Sequence, residues 1–354
     1  MANQEFKLTQ TKSSFTFKGI VDGMTNDSAY REGEVKNGKN AGKEYRSIRF
    51  FVQTSPTNKL PVEMFGMELE FVYPYKRGKK GEKGTSKKTP FAQRNNLPEG
   101  FNLIGVNLGL EQDEKGKNIR KSMVEFDAAE YIYDNLNDGD SVTVSGELEF
   151  SQYENANEEV INQTKYIVKS IYHEKAIDFE DEKFQEINAF EQELVFIDKD
   201  VDKKEGAVFV SGYTIGYADK FNLAQFVIRP NGNKNIEKTA NAFAKALKFG
   251  DTLKVSGLCL NKAETVEVDV STEKADKVKD DIFGGEKPAG LEKRAVTTYV
   301  TELQITTADN DSYKEGKGKY KEEDFVVEEL VADEEENLFG DGDAQDIDDD
   351  DLPF

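Results

Sequence analysis

Between Lys76 and Arg94 eight cations fall within 19 residues: Lys76, Arg77, Lys79, Lys80, Lys83, Lys87, Lys88 and Arg94, opposed only by Glu82. Tyr73, Tyr75 and Phe91 flank them, and Gly78, Gly81 and Gly84 make the stretch pliable. Such a cationic loop draws phosphates, and the counterions it releases drive binding. Aromatic rings beside it can stack on bases, each contributing about 1–3 kcal/mol. A second group lies upstream in Tyr45–Gln53. If Ile48, Phe50 and Val52 face a core, then Tyr45, Ser47, Arg49, Phe51 and Gln53 line the other face, where rings and a guanidinium suit sequence-tolerant stacking. Arg46 is taken with them as a contact residue, and Phe221 and Arg229 are their candidate counterparts in the second half. Two plainer readings stand beside these: a solvated loop with incidental charge, and a strand whose faces are reversed.

Other chemistries lack their parts. His173 is the only histidine and Cys259 the only cysteine, so no His/Cys zinc site and no disulfide can be built. No Gly-x-x-x-x-Gly-Lys-Ser/Thr run is present to cradle a nucleotide. Asp200 and Asp202 form an Asp-x-Asp pair in an expected turn. No catalytic residue, metal or cofactor is therefore expected. No apolar run approaches the roughly 20 residues of a membrane helix, and Met1–Glu5 lacks the features of a signal peptide. The expected location is the cytoplasm, or the host cytoplasm if a phage encodes the chain; a single free thiol fits that reducing compartment.

Any such site needs elements to position it. Alternating apolar residues predict strands at Phe15–Gly23, Tyr45–Gln53 and Leu60–Met64. Further strands are expected at Ile104–Leu110, Ile119–Phe126, Ser141–Phe150 and Lys165–Tyr172, with a short helix over Asp127–Leu136. An internal repeat organises these elements. Leu136–Gly146, containing Gly139-Asp140, matches Leu247–Gly257, containing Gly250-Asp251. Phe17-Lys-Gly19 is matched with Val210-Ser-Gly212, Tyr45–Gln53 with Phe221–Arg229, and Tyr166–Ile171 with Tyr299–Ile305. Each half reads strand, strand, strand, helix, Gly-Asp turn, strand, loop, strand, which is the order of an OB-fold. The predicted fold is mainly β: two tandem OB-fold-like barrels over 1–175 and 189–308. A linker is expected near Ala176–Asn188, a charged insertion over 262–293, and a disordered acidic tail over 309–354.

The net charge of −22 would argue against a polyanion ligand were it evenly spread. Residues 321–354 hold 16 Asp/Glu against one Lys, whereas residues 1–175 hold 26 Asp/Glu against 25 Lys/Arg. Local field decides anion binding, and the first half is close to neutral.

The chain ends Asp348-Asp349-Asp350-Asp351-Leu352-Pro353-Phe354. A terminal ring behind a polyacidic run can enter an apolar pocket while the carboxylates meet cations on its rim. In these residues the chain resembles the single-stranded DNA-binding proteins of bacteria and their phages, whose acidic tails end in aspartates and a short Pro-Phe tip. The resemblance implies single-stranded DNA as ligand, held without strong sequence preference. It also implies that replication, recombination and repair proteins are recruited through the tip. Leu352 stands where Ile is common. Two OB-like halves stand where bacterial members carry one and oligomerise, which leaves the oligomeric state open. The tail could also fold back on the basic surface and compete with DNA. The competing readings are a protein-interaction or virion-associated β-barrel protein with no DNA role, and an RNA chaperone.

Overall fold

The computed structural model describes residues 7–79, 83–154, 160–269 and 293–325. The first half opens with β1 (Ser13–Asp22), β2 (Tyr30–Glu34), β3 (Glu44–Ser55) and β4 (Asn58–Met67). An insertion follows, carrying β5 (Phe71–Val72), β6 (Tyr75–Lys76), β7 (Thr85–Ser86), β8 (Thr89–Pro90), β9 (Val106–Gln112) and β10 (Asn118–Met123). Helix α1 (Glu125–Asn135), β11 (Ser141–Glu154) and β12 (Val160–His173) complete it. β1 pairs antiparallel with β3 and β11, β3 with β4, and β11 with β12. A parallel contact, Ile167 opposite Glu63, closes β12 onto β4. This is the closed order of an OB barrel, with its helix between the third and fourth barrel strands.

The second half repeats it with β13 (Ile187–Val201), β14 (Val208–Ile215), β15 (Phe221–Ile228), α2 (Lys234–Lys245), β16 (Thr252–Asp269) and β17 (Lys293–Ala308). β13 pairs with β14 and β16, β14 with β15, and the parallel closure sets Val227 opposite Gln304. The fold is mainly β, with two tandem OB-like barrels.

The Gly-Asp repeat has one geometry in both barrels. Gly139 (φ 92°) and Gly250 (φ 85°) sit in the left-handed region, which glycine enters without a Cβ penalty. The Asp140 carboxylate accepts from the Asn137 N–H at 2.8 Å, and that of Asp251 from the Lys248 N–H at 2.9 Å. Each turn clasps the barrel's first strand: Val21 N–H donates to the Asp140 carbonyl and Phe196 N–H to that of Asp251, both at 2.8 Å.

This equivalence corrects the sequence register. Phe15 lies opposite Gly146 as Phe190 lies opposite Gly257, so β13 is the counterpart of β1. Val210-Ser-Gly212 belongs to β14, a second barrel strand, and Phe221–Arg229 falls on β15, a third. Strand alternation has period 2 everywhere, so a pattern match cannot tell a second strand from a third. Tyr166–Ile171 and Tyr299–Ile305 do fall on equivalent last strands, but Ile167 corresponds to Gln304, a different register.

The barrels share a core and are not separated by a flexible tether. β1 and β13 pair antiparallel with Phe15 directly opposite Phe190, each 1% exposed. One buried cluster runs through both barrels, with Phe226 between Phe190 and Phe150 at centroid distances of 5.9 and 6.0 Å. Fully burying such a ring contributes about 1.5–3 kcal/mol. A polar knot accompanies it. Asn58 and Asn188 each donate a side-chain N–H to the Cys259 carbonyl, at 3.1 and 2.8 Å, and Asn58 and Thr54 donate to Glu186. Burial pushes the Cys259 thiol up to about 12, so it packs as a small apolar group.

The segment after β17 departs from the expected tail. Asp309 caps α3 (Asn310–Gly316), accepting from the Asp311 and Ser312 N–H groups at 2.8 Å. Tyr320 and Phe325 are then buried with Leu8, Val195 and Ile215. These apolar anchors offset the chain entropy that composition alone assigned to the whole segment.

Candidate nucleic-acid interface

The outer face of β3 and β4 gathers the first barrel's rings and cations. Ile48, Phe50 and Val52 are at most 1% exposed, so the odd-numbered residues of β3 point outward as the alternation requires. Pairing with β4 sets Ser47 beside Phe65, Arg49 beside Glu63, and Phe51 beside Pro61. Tyr45 stacks on Phe65 at 5.7 Å between centroids, with planes 22° apart. Lys59 holds its ammonium 4.8 Å from the centre of the Phe51 ring and pairs with Asp22. On β12, Lys165 lies 3.7 Å from Glu63. Arg49 is exposed and has no ion-pair partner among the described residues. Phe65, Lys59 and Lys165 were not among the sequence candidates. Alternation in β4 could have supplied the first two, but only the strand pairing shows that they share a face with Phe51.

The basic insertion leaves from the Tyr45 end of this face, where the Glu68 N–H donates to the Glu44 carbonyl at 2.9 Å. Arg77, Lys79, Lys83 and Lys87 are exposed, as are Tyr73 and Tyr75. Lys76 donates to the Glu99 carbonyl at 3.2 Å, and the Lys88 ammonium sits 3.6 Å from the centre of the Phe71 ring. Lys80 lies outside the described residues.

Three candidates are committed elsewhere. Phe91 is 6% exposed and packs edge-on to Phe126 in a small core with Val72 and Val124. It anchors the insertion and offers no face to a base. Arg94 forms a two-pronged bond to Asp127, 2.6 and 2.8 Å, over the Phe91 ring. Arg46 takes the other strand parity: it pairs with Glu130 at 2.7 Å and lies 4.2 Å over Phe126, against α1. A basic residue inside a cluster reads as ligand-facing in sequence, whereas its carboxylate partner is far along the chain.

The second barrel presents a different face at the same positions. By strand pairing, Phe209 replaces Arg49 and Ser211 replaces Phe51. Arg229 is clamped by Glu302, 2.9 Å from Nε to Oε2, and by Glu205 at 3.1 Å. The guanidinium holds the Glu302 carboxyl below the usual carboxylate range. Phe221 packs against Tyr213 at 4.7 Å and Phe325 at 5.2 Å, so it belongs to the cluster that seats residues 320–325. The partner-binding candidates Asp348 to Phe354 lie outside the described residues.

Among the described residues no three His, Cys, Asp or Glu side chains gather as metal ligands, and no helix is long and apolar enough to cross a membrane. The sequence profile of the YorF family matches residues 76–340. The chain belongs to the YorF family. That match runs from the basic insertion through the second barrel and past α3. No curated protein sequence matches this YorF-family chain. Among solved structures it is similar to a deletion mutant of the single-stranded DNA binding protein from Thermus aquaticus. There the TM-score is 0.38 and the identity 10%, covering 85% of this chain and 95% of that one.

Proposed function

We propose that the chain binds and protects single-stranded DNA without strong sequence preference and without catalysis, chiefly through the first barrel. The observation that carries this reading is the meeting of Tyr45, Phe65, Phe51 and Arg49 on one outer sheet face, at whose end the exposed lysines of the insertion begin. A neutralising rim with stacking rings suits a flexible polyanion whose bases are unpaired. The second barrel, with Phe209 and Ser211 at the matching positions, contributes less to the strand and braces the first. The acidic tip Asp348–Phe354 recruits replication, recombination and repair enzymes in the host or bacterial cytoplasm.

The test is an oligo-dT titration at several salt concentrations. Binding that weakens as salt rises supports the proposal. No binding at low salt overturns it and leaves the protein-interaction reading. Equal or tighter binding of oligo-U points to an RNA chaperone.

A further inference from the structure

A second basic and aromatic groove lies on the first barrel, away from the residues considered above. After Ile167, where β12 borders β4, the strand continues to Ser170–Tyr172 and there borders β9 instead, in parallel. Residues Tyr166, Val168 and Ile171 face the core, so Tyr172 projects from the outer side with Ile167. Five residues of strand separate them, about 16 Å. The Tyr172 ring packs over Gly109 of β9: a Cβ there would stand 2.4 Å from the ring carbon Cδ1. Arg120 of β10 holds its guanidinium 5.9 Å from the ring centre. Around this pair opens a groove of about 660 Å³, lined also by Gln112, Lys117, Asn118 and Lys175.

The charge of the groove is positive. Lys117, Arg120 and Lys175 are exposed, and no ion pair occupies them among the described residues. The groove's own acid, Glu174, is already engaged by Lys18 at 3.1 Å and by the Thr143 hydroxyl at 3.0 Å. On the way from β4, Glu125 is paired with Lys169 at 3.3 Å. Asp113, in the β9–β10 turn, accepts from the Lys115 and Lys117 N–H groups of that turn. A phosphate chain arriving along β12 passes the exposed Glu147 of β11, opposite Ile167, and the paired Glu125, then meets a guanidinium and two lysines around a ring seated on glycine. A ring backed by Gly109 and faced by an arginine is a platform for an unpaired base.

We propose that this groove is a second contact for the same DNA strand, which leaves the β3–β4 face, follows the outer side of β12 and is held at Tyr172, Arg120 and Lys117. The inference rests on the single-strand reading and names residues that reading does not need. Its test measures anisotropy with dT oligomers of about 6 and about 30 nucleotides, within and beyond the reach of one OB face. The proteins are the wild type, Lys117→Ala/Arg120→Ala and Arg49→Ala/Phe51→Ala. The Lys117/Arg120 variant should lose about tenfold in affinity for the long oligomer. Its salt slope should fall by about 1.4, two phosphates at about 0.7 each, with the short oligomer unaffected. An iodouracil-substituted long oligomer should crosslink to Tyr172. The Arg49/Phe51 variant should weaken both lengths. Wild-type binding of the long oligomer by the Lys117/Arg120 variant overturns the groove and leaves the single-strand reading intact. Failure of the wild type to bind either length overturns both.

Discussion

Phe51→Ala and Arg49→Ala separate the two forces assigned to the β3–β4 face. Phe51 offers one ring, so its loss should remove one stacked base, about 1–3 kcal/mol. That is roughly a 5- to 150-fold rise in Kd. Because no charge changes, the dependence of log Kd on log salt should keep its slope. Arg49 offers one uncommitted cation, and its loss should lower the slope by about 0.7, the value of one phosphate on a single strand. Arg46 is the internal control. It is three residues away and equally basic, but its guanidinium is held by Glu130 at 2.7 Å over Phe126. Arg46→Ala should leave the salt slope unchanged and lower the unfolding midpoint. Phe209→Ala, at the matching position of the second barrel, should weaken binding less than Arg49→Ala. The assay is fluorescence anisotropy on oligo-dT from low to moderate salt, with denaturant melts of each variant. An Arg46→Ala slope change equal to that of Arg49→Ala would refute the assignment of this face, as would an unchanged Kd for Phe51→Ala.

Three further outcomes follow from the same structure. Gly146→Ala should destabilise strongly, because its Cβ would meet the Ile167 carbonyl at 1.8 Å, whereas Gly139→Ala meets nothing within 4 Å and should cost only about 1 kcal/mol for its positive φ; urea melts rank the two. Glu302 has its folded pKa depressed, mainly by its bond to Arg229, so the stability it contributes is present above its unfolded value and is lost as pH falls through the folded one. Glu302→Gln should therefore reduce the fall in melting temperature on acidification from about pH 5 to about pH 3. Truncation after Phe325 should tighten oligo-dT binding at low salt by removing a competing polyanion, without lowering the melting temperature. Truncation after Tyr320 should lower it, because Phe325 is 8% exposed among Tyr213, Phe221, Phe249 and Tyr320.

The barrels were legible because their signals are local. Alternation set the faces of Tyr45–Gln53, and the Gly-Asp turns marked both fourth strands, since a left-handed backbone followed by a capping aspartate leaves a fixed imprint on sequence. What failed was non-local. The counterpart of β1 is β13, whose start fell in the expected linker. Nothing in its alternation distinguishes it from β14 until pairing across the chain is known. Phe91, Arg94 and Arg46 failed for a related reason. Their partners Phe126, Asp127 and Glu130 all lie on α1, and a basic cluster reads alike whether its cations reach solvent or a helix. Phe325 failed through composition: two apolar anchors suffice to fold an acidic segment that averages as disordered.

The repeat is consistent with the proposal that one barrel carries the strand. Equivalent inward positions kept their character: Phe15 and Phe190, Phe50 and Val210, Gly146 and Gly257. They could not change freely, because Phe15 and Phe190 meet each other at the joint and each glycine lies under a carbonyl of its barrel's last strand. Equivalent outward positions diverged, from Arg49 to Phe209 and from Phe51 to Ser211, and the second face filled with the Arg229–Glu302 pair and the cluster around Phe325. Because the joint is a shared core, the second barrel contributes stability wherever its outer face points. In the proposed reading its outer residues need not contact DNA, and they seat the chain's own residues 320–325 instead. Phe209→Arg with Ser211→Phe would add a cation and a ring to a face that remains partly covered, and would tighten oligo-dT binding less than the first barrel's pair contributes.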